Sequence, residues 1–176
     1  MKLAKGQGAE ILGIADINNS TGVLDFVKAC NEEGVHPLAG IEFREGNRYL
    51  YTGIARNNEG FRELNEFLSE HRLEKKILPD RPPILQNAYI IYPFEGVKPS
   101  HLLENEYVGI RPSDTGRLLS SPFRNKQSKL VVRNPVSFAG RRDFELHRHL
   151  RAIDNNILLS KLDPSLMGSP EEVLLP

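Results

Sequence analysis

The sequence has no tryptophan, two methionines and a single cysteine, Cys30. One thiol cannot close an internal disulfide, so a small disulfide-framed fold is excluded and a reducing, cytoplasmic setting is expected. No signal-peptide pattern opens the chain and no apolar run reaches membrane-spanning length, so no membrane partner is expected. Excess charge is also lacking: Lys plus Arg and Asp plus Glu number 23 each in 176 residues. Without a bulk positive field there is no general attraction for nucleic acid by counterion release, and any contact with DNA is expected to be local or indirect. What remains is ordinary globular material, 39% hydrophobic and 26% charged. That is enough for one sizeable core.

The apolar pattern alternates between strand and helix periods. Ile11 to Asp16 is a short apolar run. After the turn Ile17-Asn18-Asn19-Ser20, residues Val23, Phe26, Val27 and Cys30 share one helix face, with Gly34 at the stop. His36-Pro37 reads as a connector, Leu38 to Phe43 as a second strand and Tyr49 to Ala55 as a third. A helix follows with Phe61, Leu64, Phe67 and Leu68 at helical spacing. Leu73 to Gln86 carries three prolines and reads as a surface excursion. Ala88 to Tyr92, Tyr107 to Ile110 and Lys129 to Val132 supply further strands, making about six in all, with a brief helix over Ser113 to Leu119. Asp143 to Ile153 predicts a helix with Phe144, Leu146, Leu150 and Ile153 on its apolar side, continued after a break over Asn155 to Leu162. This rhythm favours a parallel α/β sheet or barrel.

In such folds the carboxyl ends of strands carry the chemistry. Asp16 closes the first strand and Glu42 lies near the end of the second. Carboxylates there can hold a hard cation or act as general acid and base; alternatively Asp16 caps the following turn and Glu42 finds an arginine. His147 and His149 lie two apart on a helix and point about 200° apart, so they cannot chelate one ion together. One is expected to pack and one to face solvent. His71 sits where a helix ends, favourable to the dipole, and His36 and His101 have no recognisable partner. Cys30, on an apolar helix face, reads as a buried inert thiol. Arg141-Arg142, Arg148, Arg151 and Lys75-Lys76 are local basic groups with no interleaved aromatic residue to stack on bases.

Residues Gly13 to Gly22, Phe26 to Cys30, His36 to Phe43 and Ile54 to Phe61 are similar, in order and spacing, to the polymerase-type PHP domain of bacterial DNA polymerase III alpha chains. His147 to Ile153 with Leu158-Leu159 resembles the helix that closes that domain, and Ser169 to Val173 the segment leading towards the polymerase palm. The resemblance implies a distorted (β/α) TIM-like barrel of PHP type over residues 1–153, and a connector over 154–176. It also implies that the chain lacks the first strand of the barrel. Met1 to Gly8 reads as the last turns of a helix whose strand is missing, which predicts exposed sheet edges.

An intact site of this family gathers histidines and carboxylates around a metal cluster that activates water against a phosphate ester. The resemblance places lost ligands at Ile17, Leu50, Pro135 and Ser137, and leaves Asp16 and Glu42 as vestigial metal-site positions. Two carboxylates without imidazoles hold at best a weak Mg²⁺, so no cofactor and no catalytic residue is expected. The implied role is architectural: part of a polymerase III alpha-like polypeptide, packed on the rest of that polypeptide, with an exonuclease subunit as a further candidate partner. The alternative is a free-standing metal-dependent phosphoesterase, against which the four lost ligands count. A non-catalytic remnant is a third reading.

Overall fold

The computed structural model describes residues 1–173. They divide into two compact units, one of Met1 with residues 9–133 and one of residues 2–8 with those from Asn134 onward.

In the larger unit, β1 (Ile11–Ile17), α2 (Val23–Glu33) and β2 (His36–Glu45) form a βαβ turn of chain, whereas α1 (Lys2–Gly6), earlier in sequence, belongs to the smaller unit. β1 pairs with β2 in parallel from Ile11↔His36 to Ile17↔Glu42. The expected connector His36-Pro37 is therefore already strand. Gly34 ends α2 in the left-handed region at φ 67°, which a residue with a Cβ rarely adopts. The next connection is only Gly46-Asn47, a two-residue hairpin, so β3 (Arg48–Ala55) returns antiparallel to β2. The expectation of an all-parallel sheet fails at this point, because a parallel neighbour needs a crossover of a dozen residues or more. α3 (Asn58–Leu73) then leads to β4 (Ala88–Pro93), antiparallel to β3. β5 (Glu106–Ile110) and β6 (Leu130–Val132) follow in parallel, with α4 (Thr115–Leu118) between them. The six strands lie in sequence order and form a curled half-barrel, consistent with part of a TIM-like barrel, with β1 and β6 at its edges.

α3 is the main helix against this sheet. The Asn57 side chain accepts the Gly60 N–H at 2.9 Å, capping its start. Leu64, Phe67 and Leu68 are buried at i, i+3 and i+4. They meet Ile41, Phe43, Leu50, Tyr51, Ile90 and Tyr92 in the core. A Cβ on Gly60 would lie 1.8 Å from the Asn87 carbonyl oxygen, so this close approach of helix and strand requires glycine. His71, as expected, ends the helix, with Nδ1 2.9 Å from the Phe67 carbonyl oxygen.

The smaller unit is built on α5 (Arg141–Asp154). Phe144 packs edge-on to Phe138 at 5.4 Å, and His147 accepts the Gly168 N–H at 3.2 Å. His149 is exposed, so of this pair one packs and one is solvated. The expected apolar face is only partly used. Phe144 and Ala152 are buried, whereas Leu146, Leu150 and Ile153 are 58%, 56% and 74% exposed. The helix does not continue over 155–162. Asn156 takes φ 51°, a left-handed break, and only Leu159–Lys161 forms a single 3₁₀ turn. The connector expected over 154–176 is described to Val173; residues 174–176 lie outside the described residues.

Two stability predictions come from the core. Tyr51 is fully buried and its hydroxyl has no hydrogen-bond partner among the described residues. Burial pushes its phenol pKa well up. Removing an unsatisfied buried hydroxyl relieves a desolvation cost of about 1–3 kcal/mol, so Tyr51→Phe should match or exceed the wild type in urea unfolding. A loss above about 1 kcal/mol would reveal a partner for that hydroxyl. The second concerns Glu106, buried and accepting from Tyr92 Oη at 2.8 Å, Arg81 Nη2 at 2.6 Å and the Leu103 N–H at 2.8 Å. Burial alone would raise its pKa, but the Leu103 N–H, the Arg81 guanidinium and the Tyr92 hydroxyl outweigh that and lower it. The stability Glu106 contributes is therefore complete above the unfolded value of about 4.3, and is lost as pH falls through the lower folded value. Glu106→Gln should flatten the acid limb of stability against pH; an unchanged limb would contradict this.

A guanidinium-clamped carboxylate at the strand ends

β2 ends and β3 begins at the same edge of the sheet, beside the carboxyl ends of β1, β4, β5 and β6. Alternation along β2 sends Ile41 and Phe43 into the core against α3 and turns Glu42 to the opposite, inner face. There Glu42, only 8% exposed, meets two arginines. Arg44 approaches Oε1 through Nε at 2.6 Å and Nη2 at 2.5 Å, and Arg133, just beyond β6, reaches Oε2 through Nη2 at 2.9 Å. The guanidinium of Arg133 lies over the Tyr49 ring, 4.0 Å from its centre. The Tyr49 hydroxyl donates to the Ile91 carbonyl at 2.9 Å and lies 3.0 Å from Thr52 Oγ1. Burial raises the Tyr49 pKa, partly offset by Arg133 and Thr52.

Local sequence explains the pose of Arg44. Asn18 leaves β1 at φ 47°, a conformation asparagine tolerates. Its side chain donates to the Arg44 carbonyl at 2.8 Å and accepts the Arg44 N–H at 2.9 Å, extending the ladder past the end of β1. A register shift between Phe43 and Arg44 leaves Leu50 without a cross-strand partner and buries it in the core. Beside the clamp lies a cavity of about 260 Å³ lined by Arg44, Tyr49, Phe94, Arg111, Arg117 and Arg133, among others.

The residues singled out from sequence are not all brought together. Ile17 pairs with Glu42 across β1 and β2, so both point to the inner face. Asp16 pairs with Ile41 and points to the other face, where its Oδ2 would lie 3.0 Å from a Cβ on Gly22. Asp16 does not cap the following turn. Asn19 Oδ1 does so, accepting the N–H groups of Ser20 and Thr21 at 2.8 and 3.2 Å. Pro135 and Ser137 belong to the smaller unit, where Ser137 Oγ donates to Glu172 Oε2 at 2.7 Å. Cys30 is fully buried, with a pKa raised by burial, and touches Met1 Sδ at 3.3 Å.

A metal centre of the kind implied by the resemblance does not fit these residues. Both Glu42 oxygens are engaged by guanidiniums, Ile17 and Leu50 offer no lone pair, and Asp16 faces away. Among the described residues no group of three or more His, Cys, Asp or Glu is placed to hold an ion. Two guanidiniums on one carboxylate also leave the cluster net positive, which repels a divalent cation. Sequence reasoning missed Arg133 and Tyr49. Arg44 was legible as the residue two along the same strand face from Glu42, whereas Arg133, 91 residues distant, carried no local signal.

The PHP domain family model matches residues 1–100. The DNA polymerase III subunit alpha of Streptococcus pyogenes serotype M1 is 24% identical over 163 residues, covering 90% of this chain and 15% of that protein. The subunit of the same name from Neisseria meningitidis serogroup A is 35% identical over 75 residues, 38% of this chain and 7% of that protein. The chain thus spans a small fraction of the length of the relatives it matches.

Ile17→His would set an imidazole directly beside Glu42. The clamp predicts that this variant still retains no stoichiometric zinc or manganese after dialysis, measured by elemental analysis. One metal per chain in the variant would show that the guanidiniums yield to a cation.

Proposed function

Because this chain belongs to the PHP domain family, we propose that it is the PHP portion of a DNA polymerase III alpha-like polypeptide, serving as a packing module of a cytoplasmic replication protein and not as a phosphoesterase. The observation that carries the packing role is the stripe on α5. Leu146, Leu150 and Ile153 stand at i, i+4 and i+7 on one helix face, each more than half exposed. A contiguous apolar stripe of this kind marks a surface built to meet another protein surface. The occupant proposed is the remainder of the same polypeptide, with an exonuclease subunit as a second candidate partner.

The non-catalytic half of the proposal rests on the clamp. A carboxylate with both oxygens engaged by the guanidiniums of Arg44 and Arg133 is already occupied and is not presented to a metal. No cofactor is proposed. The nucleotidyl-transfer carboxylates of such a polymerase are assigned to residues outside this chain. Among the described residues no helix is long and apolar enough to cross a membrane.

The stripe gives a direct test. Leu146→Ser, Leu150→Ser and Ile153→Ser combined should leave the melting temperature of the 176-residue chain nearly unchanged, since exposed side chains contribute little to its own core. The same triple variant should weaken association with the remaining alpha polypeptide by tenfold or more in size-exclusion titration. Unchanged association would contradict the packing role, and hydrolysis of phosphate esters by the wild type would contradict the non-catalytic one.

A further inference from the structure

The inner face of the sheet carries a second set of residues at its opposite edge, and these take no part in the Glu42 site. Tyr89 stands at the start of β4 and Tyr107 at the start of β5. The register Ile91↔Tyr107 puts both rings on the face away from α3, because Ile90, Tyr92 and Val108 point into the buried side. The two rings meet edge to face, with centroids 5.8 Å apart and planes at 74°. Each is flanked by a cation. The Arg56 guanidinium, just past β3, lies 5.2 Å from the Tyr89 ring centre, and Lys129 Nζ, just before β6, lies 5.2 Å from that of Tyr107.

The row therefore reads cation, ring, ring, cation across four consecutive strands. Its anchors are firm. The Arg56 N–H donates to the Asn87 carbonyl at 2.9 Å, and Lys129 Nζ donates to the carbonyls of Leu103 and Glu104 at 2.6 and 2.8 Å. Neither cation has a carboxylate partner among the described residues. Arg56 and Tyr89 are exposed, Tyr107 and Lys129 are half-buried, and the row opens into a cavity of about 440 Å³ that also includes Ile84, Gln86 and Asn105. Of the basic groups picked out from sequence, Arg148 lies 6.0 Å from the ring of Phe144, which is buried and offers no face to a base. The interleaving exists in space instead, between residues 56, 89, 107 and 129.

We propose that this row is a stacking site for single-stranded nucleic acid. Exposed rings offer sequence-tolerant platforms to unpaired bases, and cations at either end match the phosphates that flank them. A duplex is disfavoured because its bases are already stacked, and because a chain of zero net charge has no broad field to hold it. The proposal does not depend on the reading of the Glu42 site or of the α5 stripe.

Fluorescence anisotropy of the 176-residue chain with labelled oligo-dT and oligo-rU of about 12 nucleotides tests it. At about 50 mM salt both strands should bind in the micromolar range, more tightly than a duplex of equal length. The salt slope should be shallow, near −1.4 on a log–log plot for two phosphate contacts. Tyr89→Ala and Tyr107→Ala should each weaken binding roughly tenfold. Tyr89→Phe and Tyr107→Phe, which keep the rings, should retain it, as should Arg124→Ala at an exposed position outside the row. Thermal melts of every variant separate loss of binding from loss of fold. No anisotropy change up to roughly 100 µM protein, equal binding of duplex, or alanine variants that fold and bind like the wild type would each overturn the proposal.

Discussion

The carboxylate of Glu42 is held between two guanidiniums on the inner face of a half-barrel, and much of the strand-end geometry is arranged around that contact. A buried carboxylate must be paired, because leaving it charged and alone costs several kcal/mol. Arg44 comes from the same strand and is held by both backbone groups to Asn18. Arg133 comes from the far edge of the sheet and is supported by the Tyr49 ring. The Tyr49 hydroxyl in turn bonds to the backbone of β4. One ion cluster thus connects β2, β3, β4 and the end of β6, four strands that backbone pairing links only neighbour by neighbour.

The same contact decides the chemistry. A metal site needs several lone pairs converging on one point, with the positive charge supplied by the ion. Here the positive charge is covalently part of the chain. The guanidiniums satisfy the carboxylate from within, and Ile17, its neighbour in the register, adds an apolar group to the same face. The remaining surface divides along the fold: a stacking row at the opposite edge of the inner face, and an apolar stripe on α5 in the smaller unit.

Much of this was legible in the sequence because local periodicity is a local signal. The strands, α2, α3 and α5 lie close to their expected positions, since Leu64, Phe67 and Leu68 or Gly34 act through neighbours a few residues away. The direction of β3 depended on two residues, Gly46 and Asn47, whose hairpin meaning a strand-helix rhythm conceals. The Leu146, Leu150 and Ile153 pattern correctly predicted a helix face, but periodicity says only that a face is apolar, not that this chain covers it. The pairing of Arg133 with Glu42 and the row of Arg56, Tyr89, Tyr107 and Lys129 were illegible for a common reason. They are assembled by sheet register between residues tens of positions apart, and no single stretch of sequence contains them.

The clamp requires Glu42 and Arg133 to act on each other as a pair and not merely to lie side by side. A double-mutant cycle with Glu42→Gln, Arg133→Met and the combined variant, followed by urea unfolding, measures that coupling directly. The clamp predicts a coupling of about 2 kcal/mol, with the double variant recovering much of what either single variant loses. Additivity within about 0.5 kcal/mol would contradict it and leave Glu42 paired with Arg44 alone.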